Sequence, residues 1–327
     1  MKSGHARSLG LLVGMGLDAI FGDPSRGHPV AAFGTAASAL ETRIWADTRK
    51  RGLIFSSACI CATTAVGIAI ERGVRHRPAA ETFAVALATW AVLGGTSLRR
   101  EAAYIDGHLR KNDLPAARTR LTHLVGRDPS DLDAGEIARA TVESVAENTS
   151  DAVVAPLFWG AIAGVPGLLG YRAVNTLDAM VGHHSQRYEN FGWTAARLDD
   201  LANLAPARFS AALTALAAPL VGGSPRDVVQ ITRRDGRKHP SPNAGWCEAA
   251  FAGALGVTLG GTNSYGGRIE SRPLLGSSTS ARPVRSSDLT RANLLNLAVC
   301  AAAGVAASVL ALGLAVGSGL RRKQVRR

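Results

Sequence analysis

Apolar residues fall into six long windows along this chain, separated by segments rich in polar and charged residues. The windows cover 9–21, 52–70, 79–98, 152–169, 204–221 and 292–320. A helix needs roughly 20 mostly apolar residues to cross a bilayer, so the third and the last window are long enough by themselves. The second and fifth windows predict further spans, whereas the first and fourth are short. The pattern predicts an all-α, polytopic membrane protein with about 4–6 membrane-embedded helices.

Three polar segments lie between or beside these windows, at 99–151, 171–203 and 223–291. We expect the first two to be helical, and the third to be rich in loops because prolines and glycines punctuate it. Strand signals are weak throughout. We predict a single domain over 1–327 in which the three polar segments form the active-site face.

Carboxylates recur at helical spacing in the first polar segment. Glu136, Glu143, Glu147 and Asp151 share one helix face with Arg139. Such a stripe repels itself unless cations balance it, which indicates metal or cationic substrate binding. The alternative is the solvated face of a surface helix.

The start of this helix has its own signal. Asp133 and Glu136 have the spacing of a capping box, in which each side chain bonds to the backbone amide of the other residue. We therefore expect the helix to begin just after Asp133.

A second polar cluster follows the fourth window. Asp199 and Asn203 are four residues apart and can reach one ligand, while Asp200 is displaced around the helix. Hard oxygen ligands of this kind suit Mg²⁺, which often bridges one or two carboxylates to substrate phosphates. The same pattern is typical of a surface helix start. It also resembles the acidic motifs of prenyl-transferring enzymes, which bind Mg-diphosphate.

The two clusters constrain the topology. If every window crossed the membrane, 136–151 and 171–208 would lie on opposite sides, and they could not share one site. The fourth window contains Pro156 and Pro166, which interrupt a helix. We therefore predict that this window is re-entrant or buried in protein, because irregular backbone at membrane depth must be shielded from lipid.

Charge and composition narrow the partners. The 327 residues include 37 Lys and Arg against 25 Asp and Glu, a formal charge of +12, and the mean hydropathy is +0.09. A basic balance suits anionic lipids or phosphorylated substrates. Nucleic acid is not expected, because zinc-finger spacing and a basic stripe interleaved with aromatics are both missing. The four cysteines give no disulfide framework. The basic tail 321–327 follows the last window and is predicted to be cytoplasmic.

A stiff loop at 238–246 completes the candidate chemistry. Its two prolines limit the conformations of the unfolded chain, so the loop can hold hydrogen-bond donors and rings in a fixed geometry. The glycine-rich run that follows lacks the ending of a P-loop, so its phosphate-binding signal is weak.

An ordered series of motifs connects these features. It comprises Asp18, Gly22-Asp23-Pro24, His28-Pro29, Arg127-Asp128, Ser130-Asp131-Leu132, 143–149 with Asp151, Ala155-Pro156-Leu157, 171–178, Met180-Val181-Gly182, Arg187-Tyr188, Phe191-Gly192, 196–200 with Asn203, Pro206-Ala207-Arg208, 238–246, Glu248-Ala249 and Tyr265-Gly266-Gly267. Because it carries these motifs in this order, the chain resembles the adenosylcobinamide-phosphate synthase family of cobalamin biosynthesis (CobD/CbiB). One position departs from the family pattern: His184 stands where members often carry Lys or Arg, so a cation there would depend on pH.

The resemblance implies an ATP-dependent amide-forming ligase of the cell's inner (cytoplasmic) membrane, with its active site facing the cytoplasm. It would join the free propionate of adenosylcobyric acid, a corrinoid, to (R)-1-amino-2-propanol O-phosphate or to aminopropanol. Mg²⁺ and ATP are expected as metal and co-substrate. Membrane lipid and other membrane proteins of the cobalamin pathway are expected partners.

The resemblance also implies roles for individual residues. Candidate catalytic residues are Glu147, Glu143 and Asp178, with Glu147 as general base; candidate metal ligands are Asp199, Asp200, Asn203 and Asp151. Candidate substrate contacts are Asp23, His28, Arg172, Asn175, Arg187, Tyr188, Arg197, Arg208, Lys238, His239 and Asn243. A membrane prenyltransferase should show a second acidic motif on another span, and a transporter would not need the polar blocks or the stiff loop.

Overall fold

The computed structural model describes residues 3–23, 27–126, 128–183, 185–265, 268–276 and 281–324. Its elements are α1 (Ser3–Phe21), α2 (Pro29–Ile44), α3 (Arg49–Val74), α4 (Pro78–Val92), α5 (Gly95–Arg110), α6 (Leu114–Leu121), α7 (Ala134–Thr149), α8 (Ala155–Leu177), α9 (Trp193–Ala217), α10 (Pro225–Asp235), α11 (Ala244–Leu255), α12 (Ser287–Gln324), β1 (Val257–Tyr265), β2 (Arg268–Leu275) and β3 (Arg282–Pro283). Pro24, Arg127, His184, Gly266, Gly267 and the end of the basic tail lie outside the described residues.

The chain forms two compact units. The first contains Met1–Gly94, Ala155–Asn203 and Ala303–Arg327, and the second contains Gly95–Val154 and Leu204–Ala302. Helices α9 and α12 each contribute to both units, so the units are not successive segments of the chain. The single domain over 1–327 stays a prediction.

Five helical segments of the described chain are long and apolar enough to cross a membrane. They are Arg49–Val74, Pro78–Arg110, Ala134–Gly182, Trp193–Val221 and Ser287–Val316. The prediction of a polytopic, essentially all-α protein with about 4–6 membrane-embedded helices is confirmed. The first apolar window forms α1 but is not one of the five, and its Asp18 is buried, as expected for a carboxylate in an apolar helix.

The fourth apolar window reverses direction at Gly164. In a straight helix, residues 159 and 167 would be about 12 Å apart. Instead, a Cβ added to Gly167 would lie 2.2 Å from the carbonyl oxygen of Trp159. Gly164 adopts φ +66° and ψ −143°, a conformation that side chains disfavour. The segment Ala155–Leu177 is therefore a hairpin of two antiparallel helical arms, which is the geometry that a re-entrant segment requires.

An ion pair holds the tip of this hairpin. Pro166 has no N–H, so the carbonyl of Ile162 loses its usual helical donor. The Arg7 guanidinium donates to that carbonyl at 3.0 Å and pairs with Glu71 at 3.1 Å. Because Glu71 Oε1 lies 2.0 Å from where a Cβ on Gly164 would sit, the tip has no room for a side chain there.

A widened turn precedes the hairpin. Residues Ser150–Val154 form a π-helix that joins α7 to α8. Pro156 cannot donate to the carbonyl of residue 152, and its ring would clash with a regular turn there. The π-helical turn accommodates this proline. It also changes the direction of the side chain of Asp151, the last residue of the carboxylate stripe.

The expectation that 223–291 is rich in loops is wrong. This segment contains α10, α11 and a small sheet with strand order β2-β1-β3. Strands β1 and β2 pair antiparallel, with a bulge between Leu259 and Gly261 where Gly260 and Gly261 have φ +84° and +101°. The glycines that suggested loops instead make the bulge, because glycine adopts positive φ without strain.

Candidate active site

The first unit contains a hydrogen-bonded network around Asp199. Its Oδ1 accepts a bond from the Asn175 amide at 3.3 Å, and its Oδ2 accepts one from the Asn203 amide at 3.0 Å. The Tyr171 hydroxyl donates to Asn203 at 2.9 Å, and Arg172 donates to Asn175 at 3.4 Å. The network brings together residues that are up to 32 positions apart. It holds one carboxylate in a fixed orientation.

Asp200 lies at the edge of this network. Arg197 pairs with it at 3.3 Å, and the Arg197 side chain is 64% exposed. Each Asp199 oxygen has a second lone pair beyond its amide bond. Groups of three or more His, Cys, Asp or Glu that could hold a metal are not found among the described residues. Carboxylate oxygens are hard ligands of the kind that Mg²⁺ takes, and Mg²⁺ is usually bound through one or two carboxylates together with substrate phosphates.

Asp178 opens a second widened turn, the π-helix Asp178–Gly182. Its Oδ1 folds back over Gly182, where an added Cβ would lie only 1.9 Å away. The glycine therefore makes the space that the carboxylate occupies. Asp178 remains half-buried.

Arg187 and Tyr188 both donate hydrogen bonds to Glu41, a residue that the sequence did not single out. Glu41 is buried and accepts bonds from Arg187 at 3.0 Å and from the Tyr188 hydroxyl at 2.9 Å. The Arg187 guanidinium also stacks over the Trp45 ring at 4.6 Å. These contacts fix the segment after the hairpin against α2.

Asp23 comes two residues after the end of α1, and His28 directly precedes α2. The Nδ1 atom of His28 accepts the backbone N–H of Val30 at 3.1 Å and so caps the helix. The Oδ1 atom of Asp23 is buried and has no hydrogen-bond partner among the described residues. Both keep bonding capacity for a ligand, Asp23 through Oδ1 and His28 through the Nε2–H that the cap leaves unused.

The second unit contains the carboxylate stripe, and its Glu143 is tied to the sheet. The capping box of Asp133 and Glu136 forms as predicted. Glu143 Oε1 accepts the Gly260 amide at 2.9 Å and pairs with Arg139 at 3.1 Å. Arg139 also donates to the carbonyl of Gly260. The pair clamps the β-bulge onto α7, so Glu143 has a demonstrated structural contact in addition to its predicted catalytic role.

Glu147 and Asp151 lie further along the stripe, close to Cys247. The thiol is buried, and burial together with the negative charges of Asp151, Glu147 and Glu248 raises its pKa. Cys247 is therefore a neutral thiol at physiological pH.

The stiff loop is anchored from both ends. Lys238 pairs with buried Asp235 at 2.7 Å. His239 is also buried; its Nδ1 accepts the Ser241 amide at 3.0 Å, and its Nε2 lies 3.4 Å from the Arg272 guanidinium and 3.7 Å from Glu248. Lys238 and His239 thus have internal contacts at the start of the loop, and their role as substrate contacts stays a prediction.

Arg208 of α9, which is half-buried, meets buried Asn243 of the same loop. The Arg208 guanidinium donates to Asn243 at 2.8 Å and stacks over the Trp246 ring at 4.7 Å. No carboxylate of the described residues pairs with Arg208. This orientation suits a phosphate or carboxylate ligand.

The predicted site residues thus form two clusters, one in each unit. Asn175, Asp178, Asp199, Asp200 and Asn203 belong to the first unit, while Glu143, Glu147, Asp151, Arg208, Lys238, His239 and Asn243 belong to the second. A single site built from both clusters stays a prediction.

Sequence reasoning missed the buried partners of these residues. The sequence predicted no chemical role for Glu41 or Asp235. It also did not predict that Tyr171 bonds to another candidate site residue. Glu41 had one usable signal, because it is the only acidic residue in the apolar helix α2. A carboxylate in such a setting is expected to find a cationic or hydroxyl partner.

Comparisons with known proteins identify the family. The sequence pattern of the CobD/Cbib protein family matches residues 11–296. "Cobalamin biosynthesis protein CobD" of Mycobacterium tuberculosis is 50% identical over 307 residues, covering 94% of this chain and 96% of that protein. Proteins of the same name from Geobacter metallireducens and Rhodobacter capsulatus are 46% and 41% identical, covering 80% and 86% of this chain and 83% and 90% of theirs. No solved structure matches. The chain belongs to the CobD/CbiB family of cobalamin biosynthesis.

Proposed function

We propose that this protein is the adenosylcobinamide-phosphate synthase of cobalamin biosynthesis. It would attach (R)-1-amino-2-propanol O-phosphate, or aminopropanol, to the free propionate of adenosylcobyric acid as an amide. The observation that carries the proposal is the 50% identity over 94% of the chain to a protein named for cobalamin biosynthesis. The family match favours this ligase over the membrane prenyltransferase as an interpretation of the Asp199-Asp200 pair.

The chemistry needs an activated carboxylate and a free amine. A propionate carboxylate is a poor acyl donor, so we propose that its phosphorylation at the expense of ATP gives an acyl phosphate first. The amine then attacks the acyl carbon, the C–N bond forms, phosphate leaves and the nitrogen loses a proton. Glu147 is our candidate to accept that proton, because it is a carboxylate in the middle of the stripe on α7.

The acidic cluster of the first unit is the proposed metal site. When bound there, Mg²⁺ would offset the negative charge of the phosphates. Asp199 and Asp200 would hold it, while Asn175 and Asn203 keep the Asp199 carboxylate oriented. Asp151 belongs to the second unit, beside Cys247. Its role as a metal ligand would require a single site built from both clusters.

The proposed anion contacts differ in how far their positive charge is already balanced by a carboxylate. Arg187 and Lys238 are already paired with Glu41 and Asp235, so their charge is largely balanced. Arg208 has a fixed orientation and no carboxylate partner among the described residues, which makes it our first choice for the phosphate of the amine substrate. We propose Arg172 and Arg197 as further contacts.

We propose that the protein is a multi-pass component of the cytoplasmic membrane with the site facing the cytoplasm, where ATP is present. The first test is amide formation by detergent-purified protein given adenosylcobyric acid, aminopropanol phosphate, ATP and Mg²⁺, with each component omitted in turn. We expect product only with all four. Product that forms without ATP, or no product from protein shown to be folded, would contradict the proposed ligase.

A matched pair of variants tests the general base. Glu147→Gln should lower kcat by about 10²-fold or more, the contribution typical of general-base catalysis. Glu136→Gln on the same helix should keep wild-type turnover, because glutamine preserves the capping box that Glu136 makes. Equal turnover of both variants would remove the role of Glu147.

A further inference from the structure

One exposed face of α10 carries unpaired positive charge. Arg226 and Arg233 are seven residues apart and so lie almost in line along the helix, with Val229 and Gln230 between them. All four side chains are exposed, and they line a shallow groove. The opposite face is buried through Val228, so only one side of α10 is free.

The cations of α10 and of the turn after it fall into two groups, and the helix also carries one exposed carboxylate, Asp227. Arg234 and Lys238 both pair with the buried carboxylate of Asp235, and their charge is used within the fold. Arg226 and Arg233 form no ion pair or hydrogen bond with the described residues. Their guanidinium groups are therefore available to an external anion.

The position of α10 points to the source of that anion. The candidate membrane span Trp193–Val221 ends four residues before Pro225, so the connecting chain can place α10 no further than about 14 Å from the end of the span. Leu216 and Leu220, in the last turns of that span, are 74% and 63% exposed.

Val229, on the basic face itself, is 40% exposed. An apolar side chain between two arginines, directly after a span, is typical of a helix that lies in the interfacial region. There its apolar side chain enters the acyl boundary and its cations meet headgroups.

We propose that the Arg226–Arg233 face of α10 binds the headgroups of anionic phospholipids. The two guanidinium groups engage the lipid phosphate and Val229 contacts the start of the acyl chains. This surface lies outside the proposed catalytic residues, and the inference does not depend on the ligase activity. It predicts selectivity for anionic over zwitterionic lipid.

The test is lipid binding to the full-length, detergent-purified protein, measured by native mass spectrometry with short-chain phosphatidylglycerol and phosphatidylcholine. Wild type should prefer phosphatidylglycerol. Arg226→Gln combined with Arg233→Gln should reduce this preference by about 25-fold, from about fivefold per cation at a membrane surface. The control replaces two exposed cations elsewhere, Arg43→Gln with Lys111→Gln, and should keep the preference within about twofold, since it removes the same charge away from α10.

A charge-preserving variant separates loss of binding from loss of fold. Arg226→Lys with Arg233→Lys should retain the preference, because lysine keeps the positive charge. Equal binding of the two lipids by wild type, or an undiminished preference in the Gln variant, would overturn the proposal. Competition by inorganic phosphate as effective as that by phosphatidylglycerol would also overturn it, by assigning the face to a soluble anion.

Discussion

Replacing Asp235 by Asn should weaken the second unit by removing one buried charge. Asp235 is fully buried at the end of α10. It accepts bonds from Arg234 at 2.8 Å, from Lys238 at 2.7 Å and from the Gly276 amide at 3.0 Å. Burial raises the pKa of Asp235, but these hydrogen bonds outweigh it and lower the pKa from 3.8 to about 2. The single carboxylate thus ties α10, the stiff loop and the end of β2 together.

The size of the effect follows from that pKa. A lowering of about 1.8 units corresponds to about 2.4 kcal/mol of folding free energy. The Arg234 and Lys238 side chains are 42% and 49% exposed, so solvent screens them, and we reduce the expected loss to about 1–2 kcal/mol. Because the folded pKa lies below the unfolded one, this stabilisation is complete above about pH 4 and is lost as the pH falls through about 2.

The assay is thermal unfolding of wild type and Asp235→Asn in detergent, followed by tryptophan fluorescence between pH 7 and pH 3. The variant should have a Tm about 3–6 °C lower at neutral pH, from 1–2 kcal/mol in a unit of this size. Near pH 3 the difference should fall to about half, because Asp235 of the unfolded wild-type chain is then largely protonated while the folded carboxylate is still ionised. Asp131→Asn, at an exposed position, is the control and should change Tm little. A difference that stays constant down to pH 3 would refute the assignment of the effect to the Asp235 charge.

Two glycine substitutions test local geometry, with Gly107→Ala in an open position of α5 as the common control. Gly182→Ala would place a Cβ 1.9 Å from Asp178 Oδ1 and displace the carboxylate. If Asp178 is catalytic, amide formation should fall about tenfold or more. Wild-type turnover would exclude that role. Gly164→Ala would strain the hairpin tip at φ +66° and collide with Glu71, so thermal unfolding should show a loss of about 1–3 kcal/mol; a Tm equal to that of the control would contradict the reversal of the chain at Gly164.

Local signals in the sequence predicted local structure well. The capping box of Asp133 and Glu136 formed because both partners lie within one turn of the same helix. The apolar windows predicted the candidate spans, since the length of apolar sequence is what a bilayer requires. Pro156 and Pro166 marked the interruptions of the fourth window, because proline removes a backbone donor wherever it stands.

Contacts between distant residues were not predictable in the same way. The partners of Arg187 and Lys238 are buried carboxylates, one of them 146 residues away in the chain. Nothing in the spacing of residues states which carboxylate a given arginine meets, so two predicted ligand contacts proved to have internal partners as well. The sheet was missed for a related reason: glycines that favour loops also permit the bulge of β1, and only pairing with β2 distinguishes the two outcomes.

Two topological predictions cannot both hold if helix α12 crosses the membrane. It is continuous from Ser287 to Gln324 and contains the candidate span Ser287–Val316. If it crosses the membrane, the polar segment 223–286 and the basic tail 321–327 lie on opposite sides, although both were predicted to be cytoplasmic. Within 20 residues of this candidate span, the polar segment has four Lys and Arg, at 268, 272, 282 and 285, and the tail has five.

These counts are nearly equal, so the positive-inside rule does not select a side, whereas the proposed use of ATP requires the polar segment to be cytoplasmic. We expect the tail to face away from the cytoplasm. A membrane-impermeant thiol reagent added to intact cells should label a cysteine placed at position 318 but not one at position 286. Labelling of position 286 alone would return the tail to the cytoplasm and remove the site from it, because one continuous spanning helix cannot leave both ends on one side.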